Sequence, residues 1–124
     1  MANKFLMVLL VPWLLSGCVS TASLTPNRVP RNADGLYHFE AVWESNQRSI
    51  IKESIKAYVL IGTETYPMQP TPVVKDRWET LAPIPASQKS VSYRYKFDYL
   101  YNSIPKPKSN SRLSAPYQLE IVGK

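Results

Sequence analysis

SVSYRYKFDYLYN, residues 90–102, decides the architecture of this chain. Val91, Tyr93, Tyr95, Phe97, Tyr99 and Tyr101 fall on one side of an extended backbone, and Ser92, Arg94, Lys96 and Asp98 on the other. Such alternation describes a strand with one face packed and one wet, as in an antiparallel sheet. The neighbouring segments repeat the period. Leu36 to Trp43 puts Tyr37, Phe39, Ala41 and Trp43 on one face. Ile55 to Ile61 does the same with Ile55, Ala57, Val59 and Ile61, and Arg77 to Ile84 with Trp78, Thr80, Ala82 and Ile84. Tyr117 to Val122 is a last strand. Gly62-Thr63-Glu64 turns the chain back into Thr65 to Met68.

Between these runs the chain carries turn chemistry. Three prolines make Pro67 to Val74 largely loop, and Ile104 to Arg112 reads as a loop rich in proline and cationic residues. Ser49 to Lys56 admits two readings, a short helical turn or a strand edge. The pattern predicts an all-β fold, an Ig-like antiparallel two-sheet sandwich of about seven strands over residues 34–124. No second cysteine is available for an inter-sheet disulfide, so aromatic packing must hold the sheets together. There is no internal repeat.

Segment 57–101 resembles the sandwich modules that bind starch and glycogen. The resemblance is carried by Ala57-Tyr58-Val59-Leu60-Ile61-Gly62, Arg77-Trp78-Glu79 and Tyr93-Arg94-Tyr95-Lys96-Phe97. It implies the fold, since most matched positions are core positions in that family. The sugar-stacking tryptophan that follows the first strand in those modules is absent, and Tyr66 is the nearest ring.

The N-terminus carries an address. Lys4 precedes the apolar run Phe5 to Leu15, which is too short to span a bilayer and is interrupted by Pro12. Leu15-Ser16-Gly17-Cys18 then resembles the lipobox of bacterial lipoproteins. That resemblance implies cleavage between Gly17 and Cys18 and acylation of Cys18. It also explains why an exported chain has a single cysteine. An ordinary signal peptide cut elsewhere is the competing reading. Residues 1–17 are thus expected as signal peptide and 18–33 as lipidated cysteine and flexible tether, holding the domain roughly 20 Å from the lipid. Val19, where an aspartate would retain the protein in the inner membrane, favours the outer membrane of a two-membrane envelope by family resemblance.

The net charge of +6 becomes +5 when Lys4 leaves with residues 1–17. Outside the cytoplasm such a balance points away from nucleic acid, toward anionic headgroups, acidic polymers or an acidic partner, or it serves solubility alone. Catalytic patterns are scarce. His38 is the sole histidine, no nucleophile motif accompanies it, and no glycine-rich phosphate loop exists. Asp76 and Glu79 flank Trp78 but fall on opposite strand faces, which separates the acids. No metal-type cluster of His, Cys or carboxylates and no cofactor is expected.

The candidate binding residues are therefore aromatic and basic. The strand ending at Tyr101 is twice the usual length of about 5–6 residues, so Tyr99 and Tyr101 are expected to overhang the core at a rim. Together with Tyr66 and Trp78 they could stack on a glycan, and Lys106, Lys108 and Arg112 supply charge beside them. The reading is a non-enzymatic, membrane-anchored envelope lipoprotein whose sandwich is an interaction or assembly module for an envelope protein. The alternative is a carbohydrate-binding module.

Overall fold

The computed structural model describes residues 19–123; the expected signal peptide and Cys18 lie outside them. The described residues form ten strands and no helix. They are β1 (Val19–Ser23), β2 (Arg28–Pro30), β3 (Leu36–Ser45), β4 (Ile50–Ile61), β5 (Glu64–Pro67), β6 (Gln69–Pro70), β7 (Arg77–Pro83), β8 (Ser90–Tyr101), β9 (Lys108–Leu113) and β10 (Tyr117–Val122). One sheet runs β1-β3-β7-β6, and the other β2-β10-β8-β4-β5 with β9 also on β8. The pairings are antiparallel except β2 with β10, which is parallel. This is the immunoglobulin order, A-B-E-D against G-F-C with an added C′ strand.

The alternating residues fill the space between the sheets. Phe39, Ala41 and Trp43 of β3, Trp78 and Ala82 of β7, Val59 of β4, Tyr93, Tyr95, Phe97 and Tyr99 of β8, and Leu119 and Ile121 of β10 belong to one buried cluster. The rings of β3 and β8 meet directly. Trp43 stacks on Phe97 with centroids 5.0 Å apart, Phe39 meets Tyr93 edge-on at 4.9 Å, and Trp78 meets Phe97 edge-on at 5.5 Å. The first two of these contacts join β3 and β8, the strands that a disulfide joins in antibody domains. Each such pair adds about 0.5–1.5 kcal/mol beyond the area it buries.

Strands beyond the expected seven come from segments read as tether and loop. Val19 to Ala33 is not a tether: β1 pairs with β3 from Val19↔Ser45 to Ser23↔Ala41, and β2 pairs with β10. The cause lies in the core tyrosines, whose hydroxyls need partners once buried. Ser23 Oγ lies 2.9 Å from the Tyr93 hydroxyl and 3.1 Å from that of Tyr95. The Tyr95 hydroxyl donates to the Glu40 carbonyl at 3.1 Å, and the buried Thr25 Oγ1 accepts from the Glu40 N–H at 3.0 Å. These bonds pin the N-terminal segment, which has no apolar alternation of its own.

Two further segments are corrected. Lys108 to Leu113, expected in a loop, pairs with β8 from Lys108↔Tyr101 to Leu113↔Lys96. β9 and β10 are two halves of one long strand, interrupted at Ser114-Ala115-Pro116. There the Ser114 N–H donates to the Tyr95 carbonyl at 2.8 Å, and Ser114 Oγ accepts from the Tyr95 N–H at 2.9 Å. Ser49 to Lys56 resolves as strand, with a bulge in the β4–β8 register between Ile51 and Lys56. Ser54 fills that bulge: its Oγ accepts from the Leu100 N–H at 2.8 Å and donates to the Ile51 carbonyl at 2.6 Å. Polar side chains replace ladder bonds at both irregularities, which is why hydrophobic period alone misses them.

Burial raises the Tyr95 and Tyr93 hydroxyls above their ordinary value of 10.0, with the Ser23 hydrogen bonds opposing part of the effect. The unfolded chain therefore ionises first as pH rises. Above pH 10.0 it binds fewer protons than the folded chain, so stability is full below that pH and falls beyond it. Tyr95→Phe, which strips the bonds to Ser23 and Glu40, is expected to cost about 1–3 kcal/mol at neutral pH. It should also flatten the alkaline loss. Urea unfolding followed from neutral to strongly alkaline pH checks both.

Candidate functional site

The expected aromatic platform does not form. Tyr99 is 3 % exposed, tilted against Trp43 at a centroid distance of 5.3 Å, and Trp78 is 7 % exposed against Phe97. Tyr101 is half-buried at the end of β8 opposite Ile50, packed on the core rather than overhanging it. Tyr66 is half-buried on β5 opposite Val59, which in turn faces Tyr95 across β4 and β8. Tyr66 and Tyr101 therefore lie about 20 Å apart along the strands, at about 3.4 Å per residue. The overhang is absent because β3 and β4 are also long: Trp43 and Ile50 cover the end of β8.

The basic residues follow one another along the turn and strand after β8, with Lys108 and Arg112 about 14 Å apart at about 3.4 Å per residue. Lys106 sits in the turn between β8 and β9, and Lys108 and Arg112 lie on β9 opposite Tyr101 and Phe97. All three are exposed. Every residue of β9 is exposed, and among the described residues its outer edge pairs with no strand.

Alternation along β9 gives this edge two faces. Ser109, Ser111 and Leu113 share the outer sheet face with Leu100, Asp98 and Lys96, their partners on β8. On that face Ser111 donates to Asp98 at 2.6 Å, with Lys96 Nζ 3.7 Å from the same carboxylate. Beside this bond opens a groove of about 720 Å³ lined by Ser54, Lys56, Asp98, Leu100, Ser109 and Asn110, among others. Leu100 exposes apolar surface to it, and Leu113, further along β9, is exposed as well. The bulge at Ser54 shapes one wall and the β9 strand the other, which explains why neither was visible in a period-two reading. The only sequence signal was negative: a charged, serine-rich stretch following a proline turn.

A second cluster lies on the opposite sheet. The β3–β7 register sets Glu40 directly across from Glu79 and brings His38 beside it. Their ligand-type atoms lie within 4.8 Å of one another, which corrects the expectation that no metal-type cluster exists. The residues are 41 positions apart at the extremes, so only strand register reveals them. Glu79 contacts His38 Nε2 at 3.1 Å, and Arg77 approaches Glu40 at 3.9 Å. The cluster forms a half-exposed ladder in which Arg77 and the His38 ring face two opposed carboxylates, contacts worth little in stability. Asp76 precedes β7 with a positive φ of 59°, and its carbonyl accepts from the Trp43 N–H at 3.0 Å, so its role in view is to fasten the loop.

A structural role for Tyr99 and a surface role for Lys108 give opposite mutational signatures. Tyr99→Ala is expected to lower unfolding stability by about 3–5 kcal/mol, the range for emptying a buried aromatic site. Lys108→Ala should stay within about 0.5 kcal/mol of the parent. Denaturant melts of the two variants check this. No protein-family model matches the chain, and neither a curated protein nor a solved structure matches it.

Proposed function

We propose that the protein is a membrane-anchored envelope lipoprotein whose sandwich works as a protein-interaction module, engaging an extended segment of a partner along β9. The observation that carries this reading is the open edge of β9. Along its six exposed residues, every second one turns its backbone N–H and C=O away from β8, where no described strand pairs with them, and a groove lies on the sheet face beside it. Strand addition uses such an edge: main-chain hydrogen bonds supply affinity and the flanking groove supplies selectivity. Lys108 and Arg112 guard the edge against a second copy of itself, because like charges would face each other. They favour an acidic partner strand instead, in keeping with the basic balance of the chain.

The anchor half of the reading rests on Leu15-Ser16-Gly17-Cys18. Two or three acyl chains at about 0.8 kcal/mol per buried methylene would make attachment effectively permanent. Outer-membrane residence, drawn from Val19, belongs to the same proposal.

Cys18→Ala is expected to abolish fatty-acid labelling and to accumulate unprocessed precursor; unchanged labelling would refute the anchor. For the edge, a photo-crosslinking residue at Asn110 in intact membranes should capture a protein adduct identifiable by mass spectrometry. The same probe at Ser87, in the loop before β8, should not. An Asn110 probe that captures nothing beyond the Ser87 background would sink the strand-addition reading.

A further inference from the structure

The two most exposed apolar side chains among the described residues are Val73, at 104 % relative exposure, and Ile104, at 92 %. They belong to different sheets' loops, yet the topology brings both to one end of the sandwich. Val73 lies in the loop before β7, whose first residue, Arg77, pairs with Val42 near the end of β3. Ile104 lies in the turn between β8 and β9, where Asn102 N–H donates to the Ser49 carbonyl at 2.8 Å. Trp43 joins the two regions from inside: its N–H donates to Asp76 at 3.0 Å and its ring packs on Tyr99 at 5.3 Å.

The chain enters the domain at this same end. Val19 pairs with Ser45, the last residue of β3, so the first described residue sits beside these loops. Cys18 is one peptide unit away, about 3.8 Å between Cα atoms. The missing tether thereby becomes informative. An acyl group on Cys18 would hold this end, and no other, against the headgroups.

The end has the chemistry of a lipid contact. Across residues 44–49, 71–76 and 102–108, Arg48, Lys75, Lys106 and Lys108 stand against Glu44 and Asp76. At the far end, Arg31 and Lys89 are balanced by Asp34 and Glu64. Val73 also holds a left-handed φ of 71°, a conformation disfavoured for a β-branched residue. Strained backbone of this kind concentrates at functional contacts. Apolar side chains on loops that carry more cations than acids match the interface of an anionic bilayer: the tips enter the acyl boundary and the cations meet the phosphates.

We propose that this end docks on an anionic membrane, with Val73 and Ile104 inserted and Lys75, Lys106, Lys108 and Arg48 against the headgroups. Docking rests on the acylation of Cys18 argued above, which supplies the high local concentration that lets a small contact persist. It fixes the orientation of the sandwich, with its strands rising from the lipid.

The test uses the purified full-length lipidated protein in vesicles of phosphatidylcholine, with or without phosphatidylglycerol. An environment-sensitive fluorophore is placed on Ile104→Cys, Val73→Cys or, as control at the far end, Ser87→Cys. These positions are exposed, so the label leaves the core untouched. The expected result is a blue shift and quenching by lipid-borne quenchers at Ile104 and Val73, stronger with phosphatidylglycerol and absent at Ser87. Lys106→Gln with Lys108→Gln should weaken the phosphatidylglycerol-dependent part, and adding Lys75→Gln and Arg48→Gln should remove it. An acylated protein whose Ile104 and Val73 labels stay as wet as the Ser87 label overturns docking and leaves the anchor standing. A mass showing Cys18 without acyl chains overturns both.

Discussion

The buried tyrosine hydroxyls of β8 set the constraint from which the rest follows. A phenylalanine at Tyr95 would fill the same space and ask nothing of its surroundings. A tyrosine there must find hydrogen-bond partners inside the fold or lose roughly 1–3 kcal/mol. Ser23, Thr25 and the Glu40 carbonyl are those partners, and two of the three belong to the N-terminal segment. The chain from Ser23 to Thr25 is therefore held against the sandwich by polar contacts to the core, beside the backbone pairing of β1 with β3. Through that pin, a packing requirement at the centre fixes where the chain enters the domain.

The same core explains how the sheets stay together without a disulfide. In the immunoglobulin arrangement the B and F strands face each other across the interior, and a covalent link there limits the unfolded ensemble. Here β3 and β8 present rings instead, with Trp43 on Phe97 and Phe39 on Tyr93. Trp78 closes the cluster from β7. Large rings on facing strands need a matching inter-sheet gap, and the small Ala41, Ala57 and Ala82 provide room among them, all essentially sealed from solvent. A single cysteine in the sequence is compatible with this solution because none is required in the interior.

The central strands were legible because burial on one face writes a period of two into the sequence. Every residue read as inward on β3 and from Tyr93 to Tyr99 on β8 is buried. The edge strands were not legible, since β1, β2 and β9 are held by backbone and hydroxyl contacts that leave no periodic trace. Tyr99 illustrates the cost of reading one strand alone. Its place at the end of a long alternating run suggested an overhang, but whether a rim residue is exposed depends on how far the opposing strands extend. β3 reaches Ser45 and β4 begins at Ile50, and both lengths were needed to see that Trp43 covers it. Glu40 and Glu79 make the same point for charge: their juxtaposition is a property of register, not of spacing along the chain. Lys106, Lys108 and Arg112 are exposed, as expected of a charged run, but the strand that carries Lys108 and Arg112 was missed.

The two proposed surfaces constrain each other. Lys108 opens β9 at the end where Val19 enters, and Leu113 closes it toward the middle of the sandwich. With that end on lipid, the open edge would stand roughly upright, its five intervals covering about 17 Å at about 3.4 Å per residue. A strand added along β9 would then run close to the membrane normal and begin at the headgroups. A partner able to do this must itself present an extended segment within that distance of the bilayer. Chains that are themselves anchored or embedded meet that condition, whereas a freely diffusing globular protein would first have to approach an anionic surface edge-on. Such a partner also explains why the edge can be left open: docking turns its lower end toward lipid, and the positive charge of Lys108 and Arg112 opposes pairing between identical copies held in the same plane.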